Sequence, residues 1–191
     1  FATFAKNDDW VNGGMSAVGA TDFRDSPLGL FEVPADCYMH RQASFIPSFF
    51  PEGTEMGVDA DFFYFPSFAE KDLGNPVLGG GTAWAIAEDS EVAQVFMKFL
   101  TLPVAHELWF AQSGFLTPHM NVNLDLYGDE TVRSMSEILI NATTFRFDGS
   151  DLMPGAIGAG AFWTGMVDFV SGEDAMSVAQ NIQDAWDAIK D

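Results

Sequence analysis

The sequence is short of positive charge and of cysteine, and each shortage closes a class of function. Lys and Arg together number 8 against 28 Asp and Glu, a formal net charge of −20. A surface that negative repels phosphate backbones and anionic lipid heads, which argues against nucleic acid and membrane surfaces as partners. It suits a protein kept soluble by self-repulsion, or one working in salty surroundings that screen it. Cys37 is the sole cysteine, so no intrachain disulfide forms and the redox state of the compartment stays open. No apolar run approaches the roughly 18 to 20 residues of a spanning helix, so direct membrane insertion by this chain is not expected. The chain opens on "FATFAKNDDW", without Met, a basic n-region or an apolar h-region, and we read Phe1 as a cut end with any export signal upstream.

The motifs of catalysis are also missing. His40, His106 and His119 stand too far apart for a local metal motif, and "HELWF" from His106 lacks the second His of a zinc-protease helix. There is no G-x-S-x-G elbow, Cys37 has no His motif beside it, and "LGGG" leads into neither a phosphate loop nor dinucleotide spacing. No cofactor and no metal are therefore expected. Asp148 and Asp151 in "FDGSDLMP" have the makings of a carboxylate pair, although a capped turn ahead of a helix explains the same residues. "NAT" from Asn141 matches a glycosylation acceptor but falls inside a predicted helix and carries no weight.

Apolar residues are plentiful: 48% of 191 positions are hydrophobic and 14% aromatic, enough to bury the core of one domain or two small ones. "GLFEVPADCYMH" and "DADFFYFPSF" are apolar runs broken by Pro, Gly and Asp, and they read as buried strands with their turns. Three glycines then lead into "TAWAIA", an alternating strand. Ser90 caps the next helix, where Val92, Val95, Phe96, Phe99 and Leu100 fall on one stripe and predict a buried face. Pro103 opens a second helix that Gly114 ends, and "GFLTPHMNVN" reads as extended chain and turn.

The last third predicts three helices. Val132, Met135 and Leu139 form the stripe of the first; "AFWTGMVDFVSG" is apolar on most sides and stops at Gly172; Val178, Ile182, Trp186 and Ile189 line one face of the third. No repeat or evident linker divides the chain. Within "LMPGAIGAGAFWTGMVDFVSG" two readings of Phe162 and Trp163 compete. Either the pair fills a core, as buried aromatics commonly do, or small residues have been cleared around a ring that a ligand must reach. Sugars ask for the second arrangement, a flat ring under their C–H face and hydrogen-bonding groups at the rim.

Taken in order, "PVLGGGTAWAIAEDSEVAQVFMKFLTLPVAHELWFAQSGFLTPHMNV" and "LMPGAIGAGAFWTGMVDFVSGEDAMSVAQNIQDAWDAI" resemble the C-terminal part of the extracellular solute-binding proteins, family 1, the sugar receptors of bacterial ABC importers. "YMHRQASFIPSFFPEG" and "NATTFRFDGSDLMP" are most similar to the α-glucoside-binding branch, and the resemblance covers nearly the whole chain. It implies an α/β, periplasmic-binding-protein-like (type II) fold: two lobes joined by crossing strands, with the sugar in the cleft between them. The chain would represent its C-terminal portion, with 1–78 and 120–191 in the C-terminal lobe, 79–119 crossing into the N-terminal lobe, and most of that lobe absent.

The resemblance also implies roles. Trp163 would stack on a sugar ring, with Gly160 and Ala161 leaving its face open. Gly80, Gly81 and Thr82 would line the cleft with backbone groups. His40, Arg41 and Gln42 would end a strand that reaches the ligand; there the sequence departs from relatives carrying a Gly-Trp pair, which leaves Phe45 or Arg41 to take that contact. The implied protein is a non-catalytic receptor, periplasmic or extracellular and held at the membrane through its transporter. Its partners would be an α-glucoside-class sugar and the transmembrane subunits of an ABC permease. The alternative is a glycosidase using Asp148 and Asp151 as acid and base.

Overall fold

The computed structural model describes residues 6–68, 70–112 and 115–190. In chain order these form helices α1 (Met15–Val18), α2 (Glu91–Leu100), α3 (Pro103–Phe110), α4 (Glu130–Ile140), α5 (Trp163–Val170) and α6 (Ala175–Ala188). Strands β1 (Pro76–Gly79) and β2 (Thr144–Phe147) pair in a two-stranded sheet, and a π-helical segment, Ala156–Phe162, runs directly into α5. The chain divides into two compact units: Phe1–Arg41 with Phe147–Asp191, and Gln42–Arg146.

In the first unit α5 packs on α6, and Ile157, Val170 and Val178 form the buried core. The close approach rests on Gly165, where a Cβ would lie 2.9 Å from Val178 Cγ1 and 3.1 Å from Ile182 Cδ1. Gly172, at φ +117°, turns the chain between the helices where a side chain would be strained. Asp174 then caps α6, its carboxylate accepting from the Met176 and Ser177 amides at 3.0 and 3.1 Å. The helix stop at Gly172 follows the sequence reading, as do Val178, Ile182 and Trp186 on the last helix, whereas Ile189, expected on the same face, lies past the helix end and is exposed.

The second unit is organised around Tyr127. Its ring stacks on Phe110 at 4.0 Å, and its hydroxyl accepts from Ser136 Oγ at 2.7 Å and donates to the Phe115 carbonyl at 2.9 Å. Thr117 and Ser136 are fully buried with partners, as buried polar groups must be. His106 belongs to this network: Nε2 donates to the Leu100 carbonyl at 3.0 Å, leaving Nδ1 to accept the Thr117 hydroxyl at 2.9 Å. His119 joins through its amide, which donates to Thr117 Oγ1 at 3.0 Å. Both histidines therefore hold α3 to the segment that follows it. Ser90 caps α2 and Pro103 stands in the first turn of α3, as expected. Gly114 lies outside the described residues.

Several expected strands are not strands. "GLFEVPADCYMH" forms a single 3-10 turn at Leu28–Leu30 and then bends, with Val33 and Tyr38 exposed. In "DADFFYFPSF", 61–68 lie in no strand: the Tyr64 hydroxyl donates to the Pro76 carbonyl while Phe63, Phe65 and Phe68 are exposed. "TAWAIA" lies in no ladder either, and its Trp84 is 54% exposed. The stripe on α2 is also uncovered, with Val92 at 80% and Phe96 at 49% exposure and no buried residue in the helix. One physical cause accounts for all of these: a strand needs an edge to pair with and an amphipathic helix needs a layer to cover it. The chain presents the apolar pattern without the second surface.

The area agrees. The 20.8 kDa chain exposes 13765 Å². A compact monomer of that mass exposes about 8,900 Å², and two independent bodies of half the mass about 10,800 Å². β2 was not anticipated, and it begins just after "NAT": α4 ends at Ile140, so Asn141 caps the helix, and its side-chain amide donates to the Glu137 carbonyl at 2.8 Å.

Candidate functional site

Trp163 is the first residue of α5 and its residue surface is 68% exposed. Within this chain the ring is accessible, as a stacking platform requires, whereas a buried Trp gives most of its large area to neighbours. The glycines themselves have two different uses. Gly158 is a packing glycine: a Cβ there would lie 2.0 Å from the Ser150 carbonyl oxygen, so backbone touches backbone. At Gly160 a Cβ would meet only the Gly155 carbonyl oxygen at 3.6 Å, so that position has room to spare. The π turn that delivers Trp163 carries one more residue per hydrogen-bonded ring than an α-helix, a feature found often at functional sites.

His40 and Arg41 belong to the same unit as Trp163. Neither ends a strand, because the run before them is bends and turns. His40 is half-buried, its Nε2 is buried without a hydrogen-bond partner, and burial pushes its pKa down. An orphaned nitrogen of this kind costs roughly 1 to 3 kcal/mol, a cost that a ligand hydroxyl would remove. Arg41 is exposed and makes no ion pair within 4.0 Å among the described residues.

Asp148, also in this unit, is held in a tight turn. Its Oδ1 accepts the Ser150 amide at 2.8 Å and the Ser150 hydroxyl at 2.5 Å. Those bonds, the hydroxyl's first, hold its carboxyl below the usual carboxylate range, with the Arg41 charge adding to the effect. The turn anticipated for "FDGSD" is therefore present, and it is the bonding of Asp148, not its spacing to Asp151, that the sequence could not reveal.

The other candidate residues lie in the second unit. Gly80, Gly81 and Thr82 follow β1 as exposed, irregular chain, and nothing stands within 4 Å of a Cβ built on Gly81. Phe45 is exposed and meets Phe49 edge-on at 6.4 Å. An open depression of about 400 Å³ in this unit is lined by Ala105, Leu108, Trp109 and Gln112. None of these lining residues was singled out from sequence; Trp109 stacks on Phe115 at 4.5 Å and touches Trp84 edge-on.

An accessible Trp at a helix start, an imidazole with an unpartnered Nε2, an exposed guanidinium and a carboxylate fixed by its turn thus fall within one compact unit. Comparison with known proteins supports the resemblance to solute-binding proteins that the motifs carry. The chain is 61% identical, over all 191 residues, to the alpha-glucosides-binding periplasmic protein AglE of Rhizobium meliloti, and covers 42% of that protein. It is 38% identical over 186 residues to the osmoprotective compounds-binding protein GgtB of Synechocystis sp., 97% of this chain and 44% of that one. The chain thus spans less than half the length of either relative. No family model matches it, and no solved structure does. Both relatives are named as binding proteins and neither as an enzyme. Among the described residues no helix is long and apolar enough to cross a membrane.

Proposed function

We propose that the chain is part of the substrate-binding component of a bacterial ABC importer, a periplasmic or extracellular receptor that captures an α-glucoside or related oligosaccharide. The protein closes its two lobes around the sugar and presents it to the transmembrane subunits of the permease. Residues 1–78 and 120–191 belong to the C-terminal lobe and 79–119 cross into the N-terminal lobe. Trp163 stacks on a sugar ring, His40 and Arg41 bond its hydroxyls, Phe45 or Arg41 takes the contact that a Gly-Trp pair makes in relatives, and Gly80, Gly81 and Thr82 offer backbone groups to the ligand.

One observation carries this reading: the exposed Trp163 ring, in a chain 61% identical to an α-glucoside-binding protein along its whole length. A ring left two-thirds open costs hydrophobic free energy that a sugar's C–H face would recover. The exposed stripes on α2 and at Trp84 support the assignment of 79–119 to a lobe whose remaining layers lie outside this chain.

The test is calorimetric titration of the full-length protein with maltose, trehalose and sucrose, with a parallel assay for released glucose. Saturable binding without hydrolysis is expected. Glucose release dependent on Asp148 and Asp151 would overturn the receptor reading in favour of a glycosidase, and absence of binding to all three sugars would remove the α-glucoside class.

A further inference from the structure

We propose that His106 and His119 form an acid-sensitive latch on the chain that leaves α3, fastened while both imidazoles are neutral and released when they take a proton. Its bearing on sugar binding rests on the receptor reading above, in which residues 79–119 cross into the N-terminal lobe and the chain returns at 120.

The two rings are neighbours, with centroids 5.3 Å apart. His106 stands on α3 and reaches in two directions. Its Nε2 donates to the carbonyl of Leu100, the last residue of α2, at 3.0 Å, which leaves Nδ1 to accept the Thr117 hydroxyl at 2.9 Å. Thr117 Oγ1 accepts the His119 amide at 3.0 Å in turn, and His119 Nδ1 accepts the Asn121 amide at 3.1 Å. Both Nδ1 atoms are therefore acceptors that face donors.

A proton on either Nδ1 turns that acceptor into a second donor. At His106 the Thr117 hydroxyl would have to turn its hydrogen away, yet Thr117 is fully buried and among the described residues that hydrogen has no other acceptor. At His119 two hydrogen-bearing nitrogens would stand 3.1 Å apart. A buried donor left unpaired is costly, and two cationic rings 5.3 Å apart repel each other. Histidine is the side chain whose charge changes in mild acid, so mild acid is the condition that opens the latch. The bond to Leu100 survives, because Nε2 donates in either state. Acid thus frees the Thr117 side and leaves α3 fastened to α2.

The other titratable groups at this junction do not act the same way. Glu107 also ties α3 to the segment by accepting the Asn123 amide at 2.8 Å, but a carboxyl keeps an acceptor oxygen in either protonation state. The Tyr127 hydroxyl holds the Thr117 amide at 3.3 Å. On the adjoining elements stand Lys98 in the last turn of α2, Asp125 in the turn before Tyr127, and Glu130, Arg133 and Glu137 on α4, where Arg133 pairs with both acids. Among the described residues neither imidazole has an ion-pair partner that would favour its cation.

The test is amide hydrogen exchange in the full-length protein at pH 7.5 and pH 5, each rate taken relative to that of the unstructured chain at the same pH. Protection of the Thr117 and His119 amides should fall by about tenfold or more on going to pH 5, while the amides of α3 hold within about threefold. His119→Asn keeps a side-chain oxygen for the Asn121 amide and His106→Asn keeps one for the Thr117 hydroxyl, so the double variant retains both acceptors and cannot take the protons. In it the two amides should keep their protection at pH 5. If loss of the Leu100 bond unfolds the double variant, His119→Asn alone, which leaves that bond in place, should still shrink the fall by about threefold. Parent protection that stays within threefold across the range would overturn the latch, and so would an equal fall in the variants, which would trace the effect to carboxylates. Maltose affinity by calorimetry should weaken at least threefold from pH 7.5 to pH 5 in the parent and hold in the double variant. Exchange that behaves as expected while affinity stays within twofold would support the latch and remove the lobe crossing at 120. Should maltose, trehalose and sucrose all fail to bind the parent at either pH, the α-glucoside reading falls and exchange alone decides the latch.

Discussion

Replacing Trp163 with Ala tests the binding platform most directly, and the structure sets the scale of the effect. A Trp side chain offers about 250 Å², of which the 68% exposure leaves roughly 170 Å² open. A pyranose stacked on one face covers about half of that, some 80 Å², and at about 25 cal/mol per Å² its removal costs roughly 2 kcal/mol. That is a loss of about thirtyfold in affinity. The buried remainder, also about 80 Å², bounds the stability cost at roughly 2 kcal/mol, an upper figure because unfolded chains already bury part of their surface. Calorimetric titration with maltose and a thermal melt of the same full-length preparation separate the two quantities. Affinity should fall about thirtyfold while the melting temperature drops by no more than roughly 4 to 8 °C. An affinity unchanged within twofold would refute the stacking role. A collapse in melting temperature without a binding-specific loss would show that the ring holds the fold.

Other outcomes follow from the same geometry. The isolated 191-residue chain should self-associate, since it exposes roughly 3,000 Å² more than two compact bodies of its mass would; light scattering should show this, and Val92→Asp with Phe96→Asp should reduce it without destabilising the chain, whereas a clean monomer would refute it. Burial lowers the His40 pKa from its ordinary 6.5, so the unfolded state binds its proton first. Its contribution to stability is then full above pH 6.5 and lost as pH falls through the lower folded value; urea melts at pH 5 and 7.5 should show this slope in the parent and a shallower one in His40→Gln. Tyr127→Phe removes the hydroxyl that serves Ser136 and the Phe115 carbonyl and should cost about 2 to 3 kcal/mol by urea unfolding. Gly158→Ala forces a Cβ into the Ser150 carbonyl and should cost at least the roughly 1 to 3 kcal/mol of an overpacked core, read as a lowered urea midpoint.

Local signals carried by single side chains were legible in the sequence. Ser90 as a cap, Pro103 in a first turn, Gly172 as a stop and the stripe of the last helix through Trp186 depend on hydrogen bonds and dihedrals within a few residues, and each stands where the pattern put it. The motif order also carried the resemblance to solute-binding proteins, because it is a property of the chain and needs no coordinates. Tertiary structure decided what faces what. "TAWAIA" and the α2 stripe have the periodicity of buried elements and are exposed, because periodicity states which face is apolar and not whether anything covers it. Trp163 reads equally well as core or platform until its surroundings are known, and "FDGSD" gives no sign that its first Asp is bound twice by Ser150 and seated against Gly158. Those facts depend on contacts between residues distant in sequence or on backbone closeness that only the folded chain creates.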